Sequence, residues 1–243
     1  MRDTSAAIIV IGNEILSGKV VDTNAAFLAK ELRTLGVSLQ RILVIPDELD
    51  AIADAVGAYQ SAFDLLFTSG GVGPTHDDVT IAGIARGLRR RVVRHPLLEE
   101  KIREYSGDKI SEARLKMAEI PEGAELVFEG SLNFPIVLVE NIYVLPGIPE
   151  LFRDKFLAMK NRFAVDPYFM RVIYTRAVES SIARYLNATL DAFPLLQLGS
   201  YPKLSDPEYR VRVTLESKDR DYLDRAFDHL LAQLPPEEIV RTE

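Results

Sequence analysis

Apolar positions along the first two thirds of the chain alternate between a strand-like and a helix-like spacing. Ala6 to Ile11 is a short, β-branched run closed by Gly12, as expected of a strand buried on both faces. Asp22 then offers a helix N-cap, Phe27, Leu28, Leu32 and Leu35 share one helical stripe, and Gly36 supplies a stop. The pair recurs: Leu39 to Pro46 reads as a strand, and Asp47 caps a helix whose face is Leu49, Ile52, Ala53 and Val56. Asp64 to Ser69 is a third strand; Pro96 to Ser106, Ser111 to Ala118 and Glu150 to Phe163 read as helices, and Ile136 to Leu145 as one or two strands. Strands alternating with amphipathic helices predict an α/β fold, a mostly parallel sheet flanked by helices through right-handed crossovers.

Past Pro167 the order changes to strand (Arg171 to Val178), helix (Ser180 to Phe193), strands (Leu195 to Tyr201 and Tyr209 to Ser217), helix (Arg220 to Leu234) and short strand (Glu238 to Thr242). This β-α-β-β-α-β order predicts a small α+β unit with both helices on one face. The expected domains are therefore residues 1–166 and 167–243. No internal repeat or low-complexity tract interrupts either.

Composition narrows the partners. Apolar residues at 47% with charged residues at 27% suit a packed core, and a formal charge of -7 opposes a nucleic-acid backbone. Without cysteine there is no disulfide, no thiolate metal site and no cysteine nucleophile. No apolar run reaches membrane-spanning length, and the first is too short for a signal core, so a cytoplasmic protein is expected. The second domain's order is shared with KH-type RNA binders, but it has no Gly-x-x-Gly clamp and carries 10 basic against 12 acidic residues from Arg171 onward.

The chemistry concentrates in the run from Ser69 to Thr80, Ser-Gly-Gly-Val-Gly-Pro-Thr-His-Asp-Asp-Val-Thr, between a strand and a helix expected to start near Asp77. Gly70, Gly71 and Gly73 let a backbone approach a ligand and aim N–H groups at an anion, with the Ser69 and Thr75 hydroxyls beside them and a helix N-terminus beyond. The run is neither the Gly-Lys-Ser/Thr phosphate loop nor the dinucleotide fingerprint, and an ordinary tight turn explains a glycine cluster equally well. Asp77 and Asp78 would repel a phosphate unless a hard cation such as Mg²⁺ lies between; each alone also suits a helix N-cap. His76 reads as a solvated loop histidine. Three further loops point toward the same sheet edge: Gly12-Asn13-Glu14, Asp22-Thr23-Asn24 and Pro46-Asp47-Glu48. Pro146-Gly147-Ile148-Pro149-Glu150, after another strand, forms either a second ligand wall or a helix cap.

In this order, Gly12 to Gly18, Asp22 to Asn24, Gly70 to Thr80 and Pro146 to Pro149 resemble the CinA-like branch of the molybdopterin-binding domain family. The likeness is closer still to the N-terminal molybdopterin-binding-like domain of eukaryotic FAD synthases, through Pro46-Asp47-Glu48, Phe134 to Leu151 and Leu198 to Pro202, and covers nearly the whole chain. It implies hydrolysis of FAD or ADP-ribose between the phosphates with a divalent ion (Mg²⁺, Mn²⁺ or Co²⁺), often with potassium. Relatives in molybdenum-cofactor synthesis bind or adenylate molybdopterin instead, and the likeness to that branch implies Asp47 and Asp78 as the functional pair. The 243 residues include no deamidase and no adenylyltransferase domain, so neither of those activities is expected. By the same analogy the small domain dimerises.

The expected site follows. Asp78, Asp77 and Asp47 are the catalytic candidates; Ser69, Gly70, Gly71, Gly73, Thr75 and Gly147 hold phosphate; Asn13, Asp22, Asn24 and Pro146 touch the ligand; Glu14, Asp77 and Asp78 hold the metal. The expected activity is metal-dependent hydrolysis of a nucleotide pyrophosphate, the alternative a module that binds a nucleotide or pterin at the same pocket without chemistry.

Overall fold

A computed structural model describes residues 3–130, 132–205 and 207–243. The chain forms two compact units, Met1–Val165 and Asp166–Glu243. In the first, the elements are β1 (Ser5–Ile11), a single turn α1 (Asn13–Leu16), α2 (Asn24–Thr34), β2 (Ser38–Ile45), α3 (Leu49–Tyr59), β3 (Leu65–Ser69), α4 (Thr80–Gly87), β4 (Val92–Arg94), α5 (Pro96–Ser106), α6 (Glu112–Lys116), β5 (Glu119–Pro121), β6 (Glu125–Val127), β7 (Ile136–Val139), β8 (Ile142–Leu145) and α7 (Pro149–Met159).

The main sheet runs β2-β1-β3-β8-β7-β6, with β2, β1, β3 and β8 mutually parallel and β7 antiparallel to both its neighbours. Every residue of β1 is buried, as its unbroken apolar run demands. Alternate residues serve opposite faces. Ala6, Ile8 and Val10 pack with Leu28 and Leu32 of α2 and Phe152 and Phe156 of α7, while Ala7, Ile9 and Ile11 pack with Ile52 and Val56 of α3 and Ile84 of α4. The mostly parallel sheet with helices on both faces is thus observed. The stretch 136–145 is two strands because Glu140 turns the chain at φ 54. The three-residue strands β4, β5 and β6 carry no readable period and were not expected from the sequence.

Register brings Ile11 level with Ile45, Val10 with Ser69 and Ser69 with Leu145, so four carboxyl ends open on one edge. Chain order reverses between β1, whose crossover leads to β2 on one side, and β3 on the other. Ligands of open α/β sheets bind at such switch points.

The second unit contains β9 (Phe169–Thr175), α8 (Glu179–Ala192), β10 (Gln197–Pro202), β11 (Val211–Ser217), α9 (Arg220–Gln233) and β12 (Ile239–Thr242). Its antiparallel sheet runs β10-β11-β9-β12, the split arrangement its element order predicts. Ile173, Val213 and Leu215 form its core with Ile182, Leu186, Leu223 and Leu230 of the two helices. Among the described residues no helix is long and apolar enough to cross a membrane.

Candidate functional site

The strand ends are welded by close backbone contact. Gly70 sits at φ +105, where an added Cβ would lie 2.2 Å from the Ile11 carbonyl oxygen, and a Cβ on Gly147 would lie 3.2 Å from the Gly70 α-carbon. Gly71 follows at φ +63. Two successive left-handed glycines reverse the chain as it leaves β3, at a crossing where no side chain fits.

Asn24 ties these ends together. Its Nδ2 donates to Ser69 Oγ at 2.9 Å and to the Gly147 carbonyl at 2.8 Å, and the residue is buried. Asn24 Oδ1, also buried, has no partner among the described residues. Asp22 accepts the N–H groups of Asn24 (3.0 Å) and Ala25 (3.2 Å), so it does cap α2, one residue ahead of the formal cap Thr23. Asn24→Ala removes two buried bonds and strands a carbonyl, for an expected loss of about 2 kcal/mol of unfolding free energy. Urea titration measures it; a loss under about 0.5 kcal/mol, the scatter of surface changes, means the hub is not structural.

Other sequence-based assignments change. Asp47 does not cap α3; its Oδ2 accepts the Asn13 N–H at 2.7 Å, pinning the loop after β1 to the loop after β2. Helix α4 begins at Thr80 rather than near Asp77, so neither loop aspartate is an N-cap. Asp78 Oδ2 instead accepts the Thr75 N–H at 2.8 Å and the Thr75 hydroxyl, closing a turn inside the loop. Thr80 Oγ1 donates to the Gly70 carbonyl at 2.9 Å and its N–H to Gly71 at 3.1 Å, which locks the loop base onto the helix start. Asp77 is exposed, and the Thr75 hydroxyl and its own backbone N–H hold its carboxyl below the usual range, helped by His76 and Lys116. Glu14 is exposed, its carboxylate folded against Gly12. Glu14, Asp77 and Asp78 do not gather into a ligand set: no cluster of three metal-binding side chains occurs among the described residues. The physical reason lies in the turn, since Asp78 is drawn onto Thr75 while Glu14 stays with α1.

Several expected phosphate donors are already engaged. The Gly70 N–H bonds Leu145 at 3.3 Å, the Ser69 hydroxyl faces Asn24 and the Pro146 carbonyl, the Thr75 N–H serves Asp78, and the Thr75 hydroxyl is engaged by the two loop aspartates. The consecutive N–H groups of Gly71, Val72 and Gly73 bond no acceptor among the described residues. All three residues line a cavity of about 1170 Å³, as do Asp78, Pro146, and Ile81 and Ala82 in the first turn of α4. Of the expected site residues, Gly71, Gly73, Asp78 and Pro146 reach this cavity; Asn13, Glu14, Asp22, Asn24, Asp47, Ser69, Gly70, Thr75, Asp77 and Gly147 do not line it.

The cavity continues between α5, α6 and α7 as an apolar cleft with three cations that sequence reading missed, Arg114, Lys116 and Lys155. Lys116 Nζ donates to the Thr75 and Asp78 carbonyls, both at 2.9 Å, and so clamps the glycine loop from α6. That contact is purely tertiary and leaves no mark in the sequence. Lys155 had one: it stands three residues after Phe152, beside the buried stripe Phe152, Phe156 and Met159.

Residues 7–164 match the family model described as a probable molybdopterin binding domain, and residues 167–243 match that of the FAD synthase middle domain. A protein of Archaeoglobus fulgidus is 37% identical over 227 residues, 92% of this chain and 96% of its own. The probable FAD synthase of Caenorhabditis briggsae is 34% identical over 248 residues and 90% of this chain, which spans about half of it, 47%. The crystal structure of the protein CinA of unknown function from Thermoplasma acidophilum matches with a TM-score of 0.61 and 32% identity, over 66% of this chain and 98% of its own.

Proposed function

The chain belongs to the molybdopterin-binding domain family, and on that premise we propose that it hydrolyses a nucleotide pyrophosphate of the FAD or ADP-ribose class with the help of a divalent ion. The observation that carries this reading is the run of three uncommitted N–H groups, Gly71 to Gly73, at the wall of the large apolar cleft. Successive N–H groups in a turn make an anion-binding concavity, and the first turn of α4 adds its partial positive charge. The volume exceeds the roughly 300–1,000 Å³ usual for small-molecule pockets, which suits an extended ligand with phosphates at one place and a ring at another. The probable FAD synthases among its relatives support a nucleotide-handling role.

In this mechanism Gly71, Val72 and Gly73 bind and orient a phosphoryl oxygen, and Lys116 holds the loop in the shape that presents them. Asp78 lines the cavity and its Oδ1 accepts no bond among the described residues, so it can receive a proton from the attacking water or contribute to a cation. The donor set fits Mg²⁺, which is commonly held by one or two carboxylates together with substrate phosphates rather than by a protein cage. When bound, such an ion supplies charge neutralisation at phosphorus and an acidified water. Water adds across the P–O–P bridge, and two monophosphates leave.

The test is a panel of FAD, ADP-ribose and related dinucleotides with Mg²⁺, Mn²⁺ or Co²⁺, with and without potassium and chelator. Chelator-sensitive release of mononucleotides is the expected result. Tight binding with no turnover would instead support a module that holds molybdopterin or a nucleotide without chemistry, a reading favoured by the lack of a three-carboxylate cluster among the described residues. We also propose a homodimer formed through residues 167–243; a monomer in sedimentation overturns that part.

A further inference from the structure

Lys155 is a desolvated cation without a counter-charge. Its Nζ donates to the Phe134 carbonyl at 2.9 Å and to the Pro135 carbonyl at 2.7 Å, and it pairs with no carboxylate among the described residues. An ammonium has three donors, so one remains. The residue lines the cleft beside Tyr105, Phe134, Leu98 and Leu157. It stands six residues past Pro149 at the start of α7, roughly 9 Å along the helix axis at about 1.5 Å per residue. That start follows the Pro146-Gly147 turn packed on Gly70, so α7 leads from the glycine loop's end of the fold to Lys155. Tyr105 and Phe134 meet edge to face at 5.6 Å, giving this part of the cleft an aromatic wall.

An unpaired cation at an apolar wall is costly unless a ligand completes it. We propose that Lys155 is the specificity-determining residue of the cleft, donating its remaining N–H to a carbonyl oxygen on the edge of a flat heteroaromatic ring seated against Tyr105 and Phe134. This rests on the cleft being the nucleotide site proposed above and goes further, since it selects carbonyl-edged rings, such as flavin or pterin, over amino-edged adenine. A site built to hydrogen-bond a ligand group discriminates strongly against analogues without it, because its own donor is left unpaired.

Burial pushes the Lys155 ammonium down to about 8, so the donor's charge is lost as pH rises through that value. The other titratable groups facing the cleft are Asp78 on the glycine loop, Tyr105 on α5, Arg114 and Lys116 on α6, Glu119 on β5 and Asp154 on α7. A ligand phosphate has completed its second ionisation by then, at about pH 6. A decline in affinity between pH 7 and 9 that disappears with Lys155 therefore belongs to Lys155.

The experiment measures binding, independent of turnover, of FAD, FMN, ADP-ribose and AMP to the whole protein and to Lys155→Met and Lys155→Gln, with melting temperatures recorded beside them. FAD and FMN are expected to lose at least tenfold in affinity in both variants while ADP-ribose and AMP stay within about twofold, and the wild-type decline with pH for FMN flattens. Equal losses for all four ligands, or none, reduce Lys155 to a pin for Phe134 and Pro135 and overturn the inference. A wild-type protein that binds none of the four overturns the proposed function as well.

Discussion

Gly70→Ala is expected to lower the unfolding free energy by about 2–5 kcal/mol, a large fraction of what holds an ordinary domain together. Two costs add. At φ +105 an L-residue pays on the order of 1–2 kcal/mol or more for its backbone alone. The new methyl also lands 2.2 Å from the Ile11 carbonyl oxygen, and overpacking of a rigid neighbour adds about 1–3 kcal/mol. Neither partner can yield: Ile11 is in a strand paired on both sides, while Gly70 is held by Leu145 through its N–H and by Thr80 through its carbonyl. The internal control is Gly57→Ala, in α3, where nothing lies within 4 Å of the added Cβ and the helix gains about 0.5–1 kcal/mol. Urea titrations of both variants decide the matter. If Gly70→Ala unfolds at the same midpoint as Gly57→Ala, the crossing of β1 and β3 is looser than described and the glycine loop is not rigidly founded.

The elements legible in the sequence were those with enough residues to show a period or a strong stop. The buried run of β1, the stripe of α2 ending at Gly36 (φ +79), and α5, bounded as expected at Pro96 and Ser106, needed only local information. The site was legible as a region but not as contacts. Asp78 offered a cap to α4, yet its carboxylate found the Thr75 N–H and hydroxyl three residues back, the local competition that short polar side chains always enter. Asp47 looked like a cap for the same reason, and only the parallel register of β1 and β2 brings the Asn13 N–H within its reach. Gly70 was read as an anion donor, whereas its N–H extends the sheet and its lack of a side chain serves packing. The cations Arg114 and Lys116 come from a short helix distant in sequence from the glycine loop, so periodicity could not bring them to it.

Asp78→Asn is expected to lower kcat at least about 1,000-fold, about 4 kcal/mol of transition-state stabilisation, while ligand affinity and melting temperature stay close to wild type. The substitution separates two jobs that one carboxylate performs. Oδ2 anchors the loop by accepting both Thr75 donors, and an amide oxygen in the same place still accepts them. Oδ1, the unbonded oxygen of a residue that lines the cavity, is the one that the proposed chemistry needs, and an amide nitrogen there neither takes a proton nor binds a cation. Asp78→Ala removes both jobs, so it should add a loss of affinity as the turn opens and Gly73 is freed from the carboxylate that a Cβ would touch at 2.7 Å. Asp77→Asn, at an exposed position outside the cavity, should lose far less. Steady-state kinetics on FAD with calorimetric binding separates these cases. A rate for Asp78→Asn within tenfold of wild type removes the carboxylate from the chemistry and leaves it a loop anchor. Loss of affinity without loss of kcat would say that the glycine loop's shape, rather than the charge at its edge, is what Asp78 protects.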